Sequence, residues 1–485
     1  MDHVVMDKYQ PVIGLEVHVQ LRTQSKIFSG DDATYGTEPN TQVGVITMAH
    51  PGTLPKLNRK VLEQAIKMGL ACHSEIARYQ IFDRKNYFYP DLPKGYQLTQ
   101  DRTPICKGGY INISIESHTT RIELNRIHLE EDAGKSIHLD HEPDTLIDLN
   151  RSGVPLIEIV TEPMLKTAEE AGALLSEIRK LVRYLQISDG NMEEGSLRCD
   201  ANISVMKKGS NALGKKVEVK NMNSIRNVQH AIDFEIERQI KVLESGNIPL
   251  SETRTFDAAS GTTSGMRTKE ELNDYRYFPD PDLSPLTISD AWLEEIKISM
   301  PALPEQLVER FVREYQLPEY DARVLTETRE LAEYFLQVCQ RQKNYKGVSN
   351  WIMGPIKSYL NNAKETEVQI PVHPDRLAEL IDLVEASKIS HTAAVQQLFP
   401  VMLVDSVKSP LQIAVEMDLI QNSDEDQILK MVEEVLQSNT AKVAEYKKGK
   451  KGLIAMFMGE VMKKSKGKAD PKVTSRVLQQ KLKEQ

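Results

Sequence analysis

Ten residues near the start of the chain, Val12–Leu21 (VIGLEVHVQL), restrict its fold more than any other stretch. Ile13, Leu15, Val17, Val19 and Leu21 alternate with Gly14, Glu16, His18 and Gln20. Strand side chains change faces at every residue, so the segment makes a strand with one apolar face and one that holds Glu16 beside His18. At a rise of roughly 3.3 Å per residue those two groups stand about 7 Å apart, close enough to share one ion.

Two further segments repeat the design. In SLRCDANISV, Leu197, Cys199, Ala201, Ile203 and Val205 oppose Arg198, Asp200 and Asn202; in KVEVKN, Val217 and Val219 oppose Lys216, Glu218 and Lys220. Residues Met206–Lys215, rich in Gly, Lys and Asn, suit a hairpin between them, which makes Asp200 and Glu218 neighbours. A fourth stretch, NRIHLEEDAGKS, carries His128, Glu130, Glu131 and Asp132. Strict alternation puts Glu131 with Leu129 on the apolar side, unless the strand ends there or a bulge turns it. Two readings of these polar faces stand. They are the wet side of an antiparallel sheet, or a set of hard oxygen ligands suited to Mg²⁺, which keeps waters that phosphate oxygens replace.

The rest of the 485 residues sets the frame. This length suits several domains, no run approaches the roughly 20 apolar residues that span a bilayer, and the acidic start MDHVVMDKYQ lacks the flanks of a targeting peptide. A soluble, cytoplasmic protein without membrane contact is expected. Cys72, Cys106, Cys199 and Cys339 are scattered and form no zinc or disulfide pattern.

A capping box at Thr167 and Glu170 opens one helix, and Ser224 opens another that stops at Gly246. Beyond about Asp290 the pattern is helical, around 304–315, 325–341, 348–360 and 374–387. The fold class is therefore α+β: a mainly antiparallel β-sheet with packed helices over 1–293, a helical domain over 294–405 and a helical tail over 406–485. From Ala441 onward, 12 Lys and one Arg face four acids, a net +9 in a chain of net −9. Such a tail is either a solvated face or a surface that meets phosphate backbones.

Several familiar sites are missing. The GKS at Gly134–Ser136 lacks the glycine a phosphate-binding loop needs, since Leu129 stands there, and no GxSxG or HExxH motif occurs. The loops DRKNYFYPD and DYRYFPDPD interleave aromatics with Arg84, Lys85 and Arg276; they either stack a base or pack turns.

Taken together, VIGLEVHVQL, KNYFYPDLPKGYQLTQ, HLEEDAGKS, DLNRSGVPLIEIVTEP, MEEGSLRCDANIS, EVKNMNS and DYRYFPDPDL resemble, in order, the GatB family, the B subunits of the aspartyl/glutamyl-tRNA amidotransferases. The helical remainder resembles the family's YqeY-type extension. The resemblance implies a cradle-shaped catalytic domain that phosphorylates the side-chain carboxylate of Glu-tRNA(Gln) or Asp-tRNA(Asn) with ATP and Mg²⁺, then amidates it with ammonia from the amidase, or A, subunit. A small C subunit completes the implied heterotrimer.

By the same resemblance Glu16, His18, Glu131, Asp200 and Glu218 hold the Mg²⁺, with Glu16, His18 and Glu131 catalytic. Lys85, Lys135, Arg198 and Lys220 are weaker candidates for gripping phosphate, beside an equally good structural reading as ion pairs. Some members carry a four-cysteine zinc site where this chain reads IFSGDDATYGTEPN, so no zinc is expected. The tail is implied to touch the tRNA body.

Overall fold

The computed structural model describes residues 7–116, 118–139, 143–210, 212–268, 275–362, 370–421, 424–465 and 467–484. They form two compact units that divide between Leu303 and Pro304. Helix Asp290–Ile298 crosses the boundary expected at 293: Leu293 and Ile296 are buried in the core of the first unit, and Met300 and Leu303 pack on it. The apolar spacing therefore carries the chain about one helix further before it leaves this core.

The first unit is built on a thirteen-stranded sheet. Ten of its strands are β1 (Tyr9–Gln20), β2 (Asp83–Asn86), β3 (Tyr96–Thr99), β4 (His118–Glu131), β5 (Pro155–Thr161), β6 (Leu197–Lys207), β7 (Val217–Met222), β8 (Glu252–Asp257), β9 (Thr262–Thr268) and β10 (Phe278–Pro279). They lie in the order β9-β8-β7-β6-β1-β5-β4-β3-β2-β10. Along this path the pairs are antiparallel apart from β7–β8. β6 and β7 form the expected pair, and a bulge between Cys199 and Ala201 shifts their register.

Helices bury the apolar face. α1 (Arg59–Ala71), α2 (Ala168–Tyr184), α3 (Ile225–Glu244) and α4 (Asp290–Ile298) are each opened by a capping side chain, from Asn58, Thr167, Ser224 and Ser289. At α2 the box is complete: the Glu170 amide donates to Thr167 Oγ1 (3.1 Å) and the Thr167 amide to Glu170 Oε2 (3.3 Å), satisfying two orphan amides of the first turn. Ile13, Leu15, Val17 and Val19 of β1 are at most 1% exposed and share one core with Leu174, Ile178, Val228 and Ile232. The alternate residues of β1 are thereby committed to the other face.

The second unit is helical. The stretch expected over 325–341 is two helices, Glu319–Leu325 and Arg329–Arg341, because the Thr328 side chain accepts the Leu331 amide and starts the chain afresh. The stretch over 348–360 contains a wider turn at Ile352–Ile356, where Pro355 has no amide to give. Helices Glu425–Ser438, Leu453–Lys464 and Pro471–Glu484 close on Ile428, Val432, Phe457, Val461 and Leu478. Among the described residues no helix is long and apolar enough to cross a membrane.

One buried polar knot ties the second unit. Asp321, 5% exposed, accepts from Lys346 Nζ at 2.5 Å and Ser349 Oγ at 2.7 Å. Burial alone raises this carboxyl, but the two donors outweigh it and hold it below the usual carboxylate range. A depressed carboxylate contributes stability above its unfolded pKa, and the contribution is lost as pH falls through the folded value. Asp321→Asn is expected to cost about 1–3 kcal/mol in urea unfolding at pH 7. The difference from wild type should shrink as the titration is repeated toward pH 3; a constant difference would contradict the assignment.

Candidate active site

The register of β1 assembles the polar face. Glu16 lies opposite Asp200 of β6, and His18 lies between Arg198 of β6 and Glu158 of β5. Glu158 lies in turn opposite His128 of β4, and Asn202 opposite Glu218 of β7. Directly opposed residues project to the same side of a sheet. Residues from five consecutive strands therefore share one face.

Their ligand atoms gather in two groups. In Glu16, Asp200 and Glu218, one carboxylate oxygen each lies within 4.8 Å of the others; one atom each of His18, Glu130 and Glu158 meets the same limit. The first group is an all-oxygen donor set. Asn202 adds to it: its Nδ2 donates to Glu16 Oε1 at 2.8 Å, while its Oδ1 is buried without a partner. A buried acceptor left unpaired normally costs about 1–3 kcal/mol, so this oxygen is suited to a bound cation. Carboxylates with an amide oxygen fit Mg²⁺.

Lys220 holds these acids together. Its Nζ bonds Asp200 and lies 2.9 Å from Glu218, and Thr253 Oγ1 donates to Glu218 Oε2 at 3.0 Å. Burial disfavours the ammonium, yet the two carboxylates raise its pKa well above that of a free lysine.

The second group is an imidazole and carboxylate square. His18 Nε2 is 3.5 Å from both Glu130 and Glu158, and His128 Nε2 is 3.2 Å from Glu158 and 3.8 Å from Glu130. Burial opposes charge on His18, but these carboxylates win and raise it to about 9. Glu158 is half-buried, and the bonds from both histidines hold it far below the usual range; desolvation pushes Glu130 up. Next to this square Arg198 donates to Asp132 at 2.6 Å.

Glu131 stands in neither group. β4 ends on it, paired to this last residue, Glu130 to Leu156 and Glu131 to Pro155, and no bulge turns it. Alternation holds to the last residue, and Glu130 is the carboxylate beside His18. Glu131 is 3% exposed and accepts from Lys94 Nζ and from the Leu98 amide at 2.8 Å. Lys135 lies on an exposed position of a separate ribbon, Lys135–His138 paired with Thr145–Asp148, apart from the sheet. Lys85 does share the face: it lies opposite Gln97, two residues from the Asp83–Thr99–Glu130 line.

Glu158 and His128 complete the square; His128 belongs to the fourth stretch named above, whereas Glu158 was not singled out. Both follow the alternation that identified Glu16, Glu158 between Ile157 and Ile159 and His128 between Ile127 and Leu129. Lys94 comes from a loop and has no such signal. The segment that reads IFSGDDATYGTEPN is held by Asp31, which accepts from the Gly44 amide at 2.9 Å and from Thr47 Oγ1 at 2.5 Å.

The Lys94–Glu131 pair is 13% and 4% exposed at its side chains. Removing one partner of such a pair strands a buried charge. Lys94→Ala is expected to cost about 3–5 kcal/mol in urea unfolding, and Glu131→Gln added to it should return part of that loss. Additive losses would rule the coupling out.

Residues 11–294 match the GatB/GatE catalytic domain, and residues 333–482 match the GatB domain of the YqeY type. The chain is 49% identical over 478 residues to the B subunit of the aspartyl/glutamyl-tRNA(Asn/Gln) amidotransferase of Geotalea daltonii, covering 98% of this chain and 99% of that one. It is 46% identical over 475 residues to the protein of the same name from Caldanaerobacter subterraneus, with 98% and 99% covered, and 46% over 477 residues to that of Thermodesulfovibrio yellowstonii, with 98% and 100% covered. With both domain models in order and close to half the residues identical from end to end, the chain belongs to the GatB family of tRNA-dependent amidotransferase B subunits.

Proposed function

We propose that the polar sheet face is where the side-chain carboxylate of Glu-tRNA(Gln) or Asp-tRNA(Asn) is phosphorylated by ATP and then amidated. The observation that carries this is the meeting of Glu16, Asp200 and Glu218 within 4.8 Å, bridged by Lys220. Supporting it, the relatives are named as amidotransferase subunits for both tRNAs.

A carboxylate resists ammonia because substitution would expel oxide; as an acyl phosphate it expels phosphate instead. The γ-phosphoryl group passes from ATP to a carboxylate oxygen, ammonia nitrogen bonds to the carbon, and inorganic phosphate leaves as the new nitrogen sheds its extra proton. Glu16, Asp200, Glu218 and the Asn202 oxygen would hold Mg²⁺, with His18 next along β1. Bound there, Mg²⁺ neutralises charge on the phosphate oxygens and fixes their position.

The chain's own groups supply the rest. Lys220, held between Asp200 and Glu218, would present one cation to phosphate, and Arg198 a second from the same face. The same role is proposed for Lys85. Carboxylates of Glu130 and Glu158 stabilise the ammonium that forms on attack. Glu131 acts through Lys94, which it holds at the end of β4. Lys135 has no assigned part in this geometry.

Ammonia is taken to come from the amidase, or A, subunit of a complex that a small C subunit completes. Such a division of labour accounts for a chain without a recognisable amidase nucleophile. The basic tail is proposed to hold the tRNA body through its phosphates.

Glu218→Gln should remove ATP-dependent phosphorylation of the charged tRNA while tRNA affinity stays within about twofold. Glu131→Gln, which leaves both ligand groups intact, should lose less. Full phosphorylation by the Glu218 variant would reject the site. For the tail, replacing the exposed Lys447, Lys448, Lys450 and Lys451 by Gln should weaken tRNA binding and flatten its salt dependence. Each phosphate left without its lysine lowers the slope of log affinity against log salt by roughly 0.7–0.9. An unchanged slope would reject this role for the tail.

A further inference from the structure

Two aromatic loops flank the acidic face, and the mechanism above leaves their tyrosines unused. Tyr87 comes from the end of β2, and Tyr275 and Tyr277 come from nearly two hundred residues later. Their rings interlock edge to face, with centroids 6.2 Å apart for Tyr87 and Tyr275 and 6.1 Å for Tyr275 and Tyr277.

The junction is strongly held. The Asn86 amide donates to the Tyr275 carbonyl at 2.9 Å, and Asn86 Nδ2 donates to the Arg276 carbonyl at 2.9 Å. Arg84 bonds Asp280 at 2.5 Å, whose side chain is fully buried, and Asp282 at 2.8 Å. The Arg84 ion pairs and the paired backbone set the rings in place, with Tyr87 and Tyr275 half-buried and the wall open toward Tyr277. Tyr277 is 37% exposed, and on the same loop as Tyr87, Phe88 is 79% and Tyr89 56% exposed.

A cation joins this wall to the site. Lys85 Nζ lies 5.0 Å from the Tyr275 ring centroid and 5.8 Å from that of Tyr87. The Thr99–Glu130 pairing places Lys85 on the face that carries Glu130, two strands away, or roughly 10 Å at ~4.8 Å per strand. The face of a tyrosine ring takes a base, a lysine beside it takes phosphate, and the acids further in take the cation that phosphate brings. Those are the parts of one nucleotide, in order.

We infer that Tyr87, Tyr275 and Tyr277, with Lys85, form a nucleoside subsite that stacks an adenine whose phosphates run toward the acidic face. The inference rests on the proposed function, which supplies two adenosines: that of ATP and that at the 3′ end of the tRNA. The subsite takes one of them.

The test uses the full chain in its assembled complex. Tyr275→Ala and Tyr275→Leu, the latter keeping apolar bulk without a ring, are compared with wild type for binding of Mg·ATP by equilibrium dialysis. The same variants are compared for binding of uncharged tRNA, intact and trimmed of its terminal adenosine. Loss of one stacked base predicts a weakening of about 5- to 150-fold, the equivalent of ~1–3 kcal/mol. Tyr275→Trp should stay within about twofold.

A loss confined to ATP assigns the subsite to its base. A loss confined to intact tRNA, and absent for the trimmed one, assigns it to the tRNA end. Variants that melt like wild type and bind both ligands within twofold of it overturn the inference. Failure of the wild-type complex to phosphorylate charged tRNA would instead sink the proposed function, and the inference with it.

Discussion

Repulsion among carboxylates is the constraint on which the first unit depends. Glu16, Asp200 and Glu218 meet within 4.8 Å, and on the same face Glu130 and Glu158 both lie 3.5 Å from one imidazole nitrogen of His18. Acids this close in a part-buried setting do not all ionise without cations. Lys220 supplies one between two strands, and His18 supplies another. The sheet tolerates the cluster because its opposite face is a continuous apolar core that fixes the register of β1 between β5 and β6. A slip of one residue would exchange the two faces, burying Glu16 and His18 and exposing Leu15 and Val17.

This explains what was legible in the sequence. Alternation in β1, β6 and β7 identified Glu16, His18, Asp200 and Glu218 as face residues, and a period of two leaves no other arrangement once one face is apolar. The helix starts at Thr167 and Ser224 were legible for the same local reason, since a capping side chain acts within three residues of itself. Long-range facts were not. Which strands lie side by side depends on pairings up to nearly 200 residues apart, such as Tyr9 with Lys207, and alternation says nothing of them.

Glu130 and Glu131 show where local logic and resemblance part. Alternation alone assigns Glu130 to the face of His18, whereas the family pattern points to its neighbour. The Lys94 ammonium and the Leu98 amide meet Glu131 on the other side of the strand, so a buried carboxylate there is satisfied without any bulge. The YqeY-like half was legible as helical, but the positions of its breaks depend on single residues: Thr328 opens a helix, and Pro355 widens a turn.

Diffraction from crystals of the full chain soaked in Mn²⁺, collected at the manganese absorption edge, tests the central claim most directly. The predicted result is an anomalous peak within ligand distance of Glu16, Asp200 and Glu218. An empty cluster at saturating Mn²⁺ would contradict it.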